Sequence, residues 1–467
     1  MKGLSSPLVL AALLGVAVSS CGGSPAPGRQ NVILISLDTC RADRMGFLGA
    51  ERATPRLDAF AEESAVFTDC HAQSSATAPS HLSILTGHNV QRHGLMKNGE
   101  RSVPAYTLAS VLKELGYQTA AFTGHGSLQG KFGHGVGFDV FISWHLGDQP
   151  ADAEGAAPYQ RYIAEAIEEG VGFLDYAAER GPFFLFVHGY DPHLPFWPKE
   201  PLRSEYAGWY DGELDISKVH KRTQFHPIIE AGLLGPEEKA YVSDLYDAEI
   251  QAADEAIGAF FDELEKRGLL EDSLIVYTSD HGELLGEHEW VGHGLFYEEV
   301  LKVPLAIRFP GGKWAGRYDA PVEHLDILPT VLGYLGVPIP EGVQGLDLTD
   351  HLRGDASVPE DRMRIGRRAG DVALAFGDAP DLRILFKQTA SGFDNFEIYD
   401  LASDPEQADN LGATGVGRER YRSFIERYVA WQRANAPQDR AYRGAETDIQ
   451  DEDKDMLKAL GYMGDDE

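Results

Sequence analysis

Five short apolar runs set the terms on which this chain can fold: NVILISLD (31–38), YQTAAFTG (117–124), PFFLFVHG (182–189), SLIVYTSD (273–280) and VPLAIRFP (303–310). Each is short and nearly unbroken in apolar character, the pattern of a strand buried on both faces. Between them lie stretches of helical texture: TLASVLKELG with Thr107 as N-cap and Gly116 as stop, the segment near 158–180, and the long 236–268. Strands separated by helices predict an α/β fold, a large, mostly parallel sheet sandwiched by helices. After GVPIPEGVQG, near residue 345, the texture shifts to short strands, DVALAFGD, LRILFKQT and FEIYDL, and then to the amphipathic RERYRSFIERYVAWQRA. A smaller C-terminal antiparallel sheet plus helix is therefore expected over 346–440, after a main domain over 30–345 and before an acidic tail over 441–467.

The first residues are not fold. Lys2, the apolar PLVLAALLGVAV and VSSC at 18–21 resemble a bacterial lipoprotein signal, in which residues 1–20 are removed, Cys21 is lipidated and 21–29 form a tether. The expectation is an exported lipoprotein, held by that lipid at a membrane in the periplasm or at the cell surface. Acidic residues outnumber basic ones 73 to 41, a net charge of −32. Such a surface repels nucleic acid, so an anionic substrate must be drawn by a local metal or basic pocket. Cys40 and Cys70 could pair in an oxidising compartment; spacing alone does not decide it.

In open α/β sheets ligands gather beyond the carboxyl ends of the strands. Asp38 ends the first run, Asp280 and His281 end the fourth, and His188, Asp191 and His193 follow the third. Any one of them could merely cap a helix or bond within a loop. Together they bring carboxylates and imidazoles to one edge. Two aspartates and a histidine make a hard site for one divalent cation, Ca²⁺, Mg²⁺ or Mn²⁺, and the imidazole keeps Zn²⁺ open. A cation there would activate a hydroxyl. Thr77, in SSATAPSHLSILTG, is the candidate: it precedes Pro79, suited to the first helical position, and a helix over 80–85 whose start favours an anion. Plain helix capping would use the same placement.

NVILISLDTCRADRMGFLGA, TAPSHLSILTG, RHGLMKNG, YDPHLPF, TSDHGELLGEH, YEEVLKVPLAIRFPGG, LDILPTVLGYLGVPIPEGVQGLDL and FEIYDLASDPEQADNL resemble, in order, segments of the sulfatase family within the alkaline phosphatase superfamily. The resemblance spans roughly residues 29–412. It implies that Asp38, Asp280 and His281 bind the metal and that Thr77 is both ligand and nucleophile. It further implies that Asn98, with Lys97 beside it, contacts the ester oxygens, and that His193 touches the anion or leaving oxygen. His293 stands where many sulfatases have a lysine near the leaving group.

Three departures bear on the chemistry. Thr77 replaces the Cys or Ser that sulfatases convert to formylglycine, His81 replaces the motif's arginine, and TGHGSLQG lacks the expected lysine, leaving His125 nearby. Threonine is the nucleophile in phosphoryl-transferring members of the superfamily. The resemblance thus implies cleavage of a phosphate or phosphonate ester of a small molecule, glycan or lipid through Thr77, with His193 or His293 protonating the leaving oxygen. Sulfate ester hydrolysis by unmodified threonine and a non-catalytic binding lipoprotein are the alternatives.

Other residues have blander expectations. Asp347 and His351 match a second-metal pattern but suit a surface helix, so one metal is expected. His88, His93 and His134 read as solvated or structural, and His288 as within reach of the site. Arg41 and Asp43 are expected to support Asp38, or else to form a loop salt bridge. Aromatics in an irregular insertion over 194–235 could line a substrate pocket or pack the loop down.

Overall fold

The computed structural model describes residues 30–52, 54–143, 162–177, 179–219 and 222–435. The signal segment, Cys21, the tether and the acidic tail lie outside the described residues. The strands are β1 (Asn31–Leu37), β2 (Ala65–His71), β3 (Gln118–Thr123), β4 (Val140–Ser143), β5 (Phe183–Gly189), β6 (Ser273–Ser279), β7 (Leu284–Leu285), β8 (Val291–Gly292), β9 (Lys302–Arg308), β10 (Gly316–Tyr318) and β11 (Val322–Glu323). Four more form the C-terminal sheet: β12 (Met363–Arg368), β13 (Asp371–Phe376), β14 (Ala379–Thr389) and β15 (Gly392–Asp400).

The central sheet runs β10-β2-β9-β6-β1-β5-β3-β4, with β11 also on β2. All five apolar runs are strands in it. The strands β6, β1, β5, β3 and β4 pair in parallel, and β9 is antiparallel to both neighbours. Period-two alternation explains the unbroken apolar runs. From β1, Ile33, Ile35 and Leu37 enter one core and Val32 and Leu34 the other.

The first core lies beneath the helix Pro236–Lys266, whose Val242, Leu245, Ile250, Ile257 and Phe260 are buried. That helix starts at Gly235, whose N–H donates to Glu238 Oε2 at 3.0 Å, and stops before Gly268, where φ is +66°. Helices Leu108–Glu114 and Ile327–Tyr334 cover the other face. Leu348, Leu352 and Val358 belong to that second core, so residues just past 345 pack with the main domain.

The C-terminal sheet is antiparallel and is covered by the helix Arg422–Ala434, with Tyr428 and Phe424 against Ile384, Phe386 and Ile398. Its first strand, MRIGRR, lies outside the three runs anticipated from the sequence; alternating basic residues disguise it. Ion pairs tie this unit to the main domain. Arg362 meets both oxygens of Asp326 at 2.7 Å and Glu323 at 2.7 Å, and Arg364 meets Asp69 at 2.8 Å. Asp326 is fully buried. Arg362→Met is therefore expected to cost about 3–5 kcal/mol of unfolding free energy in urea titration, because it strands buried carboxylates. A loss below roughly 1 kcal/mol, the range of surface pairs, would show that this junction is not held by charge.

Candidate active site

At the carboxyl end of the sheet one face turns from apolar to polar. In register across four strands stand Thr123, His188, Ser36 and Thr278. The helix Thr77–Thr86, buried along its whole length, packs here. Its His81 ring lies 3.0 Å from Ser36 Oγ through Nε2 and 2.9 Å from the Thr77 carbonyl through Nδ1. Since a carbonyl only accepts, Nδ1–H donates and Nε2 takes the Ser36 hydroxyl proton. His324 joins Ser80 Oγ at 3.2 Å and Thr278 Oγ1 at 3.4 Å. Burial lowers the His81 pKa to about 4 and that of His324 to about 3, so this seam is neutral.

The helix begins at Thr77, three residues before the expected start at 80; Pro79 sits in its first turn, not at its first position. Ala76, at the N-cap, has no side chain to accept a hydrogen bond. Asn98 supplies the acceptor from another segment, its Oδ1 taking the Ala78 N–H at 2.9 Å. Thr77 is thereby relieved of capping. Its hydroxyl instead donates to Asp38 Oδ1 at 3.4 Å, and its side chain is fully buried.

Asp280 directly follows β6, the strand next to β1. Its Oδ1 accepts the N–H of Thr39 at 2.9 Å and of His281 at 2.8 Å. Its Oδ2 makes no hydrogen bond and lies 3.4 Å from His281 Nε2, which is also unbonded. Asp38 Oδ2 is unbonded too. One ligand atom each from Asp38, Asp280 and His281 lie within 4.8 Å of one another. Burial, then the charges of Asp280 and Glu283, push the Asp38 carboxyl well above its usual range; burial raises Asp280 and lowers His281 to about 4. Two buried carboxylates and a neutral imidazole, with donor atoms left over, fit a divalent cation. Glu283, the second acid of SDHGE, was missed in the sequence. It joins Thr39 Oγ1 at 3.1 Å and Leu194 N at 3.2 Å, linking the loop after β1 to the loop of His193.

His193 and His293 meet, Nε2 to Nε2, at 3.2 Å. Their Nδ1 atoms donate to the carbonyls of Leu194 at 2.5 Å and Ser75 at 2.8 Å. The His293 ring lies 4.6 Å from that of His281, and the His125 ring 6.1 Å from that of His193. Lys97 is at the surface, whereas Asn98 is buried.

The structure also decides several expectations that the sequence left between alternatives. Arg41 does not support Asp38: it forks onto Asp43 at 2.9 and 2.7 Å and reaches Glu287 at 2.7 Å, bracing the loop after β6. His288 stacks on Tyr297, centroids 3.5 Å apart. Of the two readings open for His88, His93 and His134, the structural one holds: they are buried and bond Tyr106, Ser83 and the Ala78 carbonyl. Cys40 and Cys70 are both free. Asp347 caps Thr349 by accepting its N–H at 2.9 Å. The aromatic insertion packs down: Phe196 abuts Tyr246 and Trp209 donates to Asp244 at 2.7 Å, both on the long helix.

Asp191 is buried, accepts Ile163 N–H at 2.7 Å and is raised to about 7, chiefly by burial. The folded state thus keeps a proton that the unfolded chain loses near pH 4. Its contribution to stability is complete below about pH 4 and disappears as pH rises through about 7. Asp191→Asn should flatten the decline of melting temperature across this window relative to wild type; identical slopes would reject the assignment.

Fold and site together define an α/β ester hydrolase of the alkaline phosphatase superfamily. The sequence model of the Sulfatase family matches residues 30–337, and the chain belongs to that family. It is 24% identical to an N-acetylglucosamine-6-O-sulfatase of Bacteroides thetaiotaomicron, over 88% of each chain. It is 28% identical to an ulvan-active sulfatase of Formosa agariphila, over 82% of this chain and 77% of that one. The solved phosphonate monoester hydrolase of Agrobacterium radiobacter superposes with a TM-score of 0.70 at 22% identity, over 87% of this chain and 96% of that one.

Proposed function

We propose that this chain cleaves phosphate or phosphonate esters with unmodified Thr77 as nucleophile. The observation that carries this reading is Thr77 itself: a hydroxyl at a helix start, freed from capping by Asn98 and directed at Asp38. Asp38, Asp280, His281 and Thr77 would hold one divalent cation. When bound, such a cation lowers the pKa of an adjacent hydroxyl and withdraws charge from the ester. Thr77 releases its hydroxyl proton through Asp38 Oδ1, its hydrogen-bond acceptor; Oγ attacks phosphorus, the bond to the leaving oxygen breaks, and a phosphothreonine forms.

The departing alkoxide needs a proton. His193 and His293 each spend Nδ1–H on a backbone carbonyl, so their facing Nε2 atoms can hold one proton between them and hand it over. Water then cleaves the phosphothreonine and restores the hydroxyl. His81 has both nitrogens engaged within the protein, so it positions the nucleophile's helix. The arginine that would clamp a sulfate has no equivalent there.

Sulfate ester hydrolysis is the second reading, favoured by the names of the two curated relatives. The glycan esters those names describe are natural candidates for the alcohol portion here. We also propose export, with Cys21 carrying the lipid anchor. The test is a panel of aryl phosphodiester, phosphonate monoester and aryl sulfate, assayed with protein lacking residues 1–21 in Mn²⁺, Ca²⁺ or Zn²⁺. Phosphorus esters should be turned over fastest; a faster sulfate ester would reverse the assignment.

A further inference from the structure

The two metal-ligand carboxylates are held very differently. Asp280 has Oδ1 pinned by two backbone N–H groups, which leaves Oδ2 for a cation. Asp38 has Oδ1 on Thr77, and no hydrogen bond fixes Oδ2. A ring nitrogen near that oxygen is His188 Nε2, 3.8 Å away. His188 is fully buried and neither ring nitrogen makes a hydrogen bond. We propose that His188 is the positioning residue of Asp38: it donates Nε2–H to Oδ2 and so holds Oδ1 toward Thr77 and the cation. This rests on the reading of Asp38 as a metal ligand.

Several features make the pairing specific. The His188 backbone is locked in the sheet beside Ser36 and Thr123, and its carbonyl accepts Gly124 N–H at 2.9 Å. Its ring stands edge-on to His81, with centroids 4.7 Å apart at 86°. His81 is itself tied at both nitrogens, so it offers His188 no acceptor. A buried N–H without a partner is disfavoured, and an anionic oxygen is the strongest acceptor available to it. Closing 3.8 Å to a normal length of about 2.9 Å asks for roughly 1 Å of movement, small enough for rotation of the Asp38 carboxylate when Oδ1 engages the cation.

The experiment is calorimetric titration of chelator-stripped protein with Mn²⁺, alongside melting temperatures with and without Mn²⁺. His188→Leu should weaken Mn²⁺ binding by about 10–100-fold and shrink the Mn²⁺-induced rise in melting temperature. In chelator it should melt no lower than wild type, because no native hydrogen bond is lost. His188→Gln, with an amide N–H near the position of Nε2, should bind Mn²⁺ within a few-fold of wild type. If His188→Leu binds as tightly as wild type, or if Leu and Gln variants lose affinity equally, the proposal is overturned. A lower melting temperature of His188→Leu in chelator would likewise overturn it in favour of a purely structural role. Asp38→Asn separates the two readings: undiminished Mn²⁺ binding there would show that Asp38 is no ligand, whatever His188 does.

Discussion

Thr77→Ala should lower ester turnover by roughly 10⁴- to 10⁶-fold, the scale on which loss of a nucleophile is felt, while the folded state persists. The expectation of an intact fold comes from the contacts. The Thr77 hydroxyl makes one long bond to Asp38 and caps nothing, and the helix start is satisfied by Asn98. Thr77→Ser keeps a hydroxyl at the same turn and should retain measurable activity. Mass spectrometry of wild-type protein quenched during turnover should find a phosphoryl group on the peptide carrying Thr77, and none on the alanine variant. Turnover within roughly tenfold of wild type, about 1.4 kcal/mol of barrier, would remove Thr77 from the reaction.

Chelation is the second large effect. Stripping divalent metal should abolish turnover and lower the melting temperature; re-addition at about 100 times Kd should restore about 2.7 kcal/mol of stability. Asp280→Asn should mimic the loss, since it removes charge from the carboxylate whose free oxygen lies 3.4 Å from His281 Nε2. The pH dependence has a definite sign. Without metal, burial and mutual repulsion raise Asp38, and burial raises Asp280, so the folded state binds protons that the unfolded chain has released. Metal-free protein should therefore lose stability as pH climbs above the ordinary carboxylate range, and saturating metal should flatten that decline. Full activity in a strong chelator would refute the metal reading.

Much of this site was legible because its residues end apolar runs. Asp38, Asp280 and His281 follow β1 and β6 directly, and parallel strands put their carboxyl ends at one edge. The C-terminal sheet was visible by alternation except for β12, where basic residues carry the ion pairs to the main domain. Arg41 misled because proximity to Asp38 in sequence suggested support, whereas the turn after β1 sends its guanidinium to Asp43 and Glu287. The roles of His88, His93 and His134 were open in the sequence for a related reason. A local pattern leaves solvated and structural roles equally open for a loop histidine, and only the packing supplies the partners Tyr106, Ser83 and the Ala78 carbonyl.

From the sequence alone follow the alternating fold, the segment of Thr77 and the acids that end the strands, because strand period and chain order are local properties. Tertiary structure decided which side chain serves which. His193 meets His293 across 100 positions, Asn98 caps a helix it does not belong to, and His188 faces Asp38 from the neighbouring strand. Partner choice at that distance depends on register between strands and on how a helix lies over them, and neither is written in any local pattern.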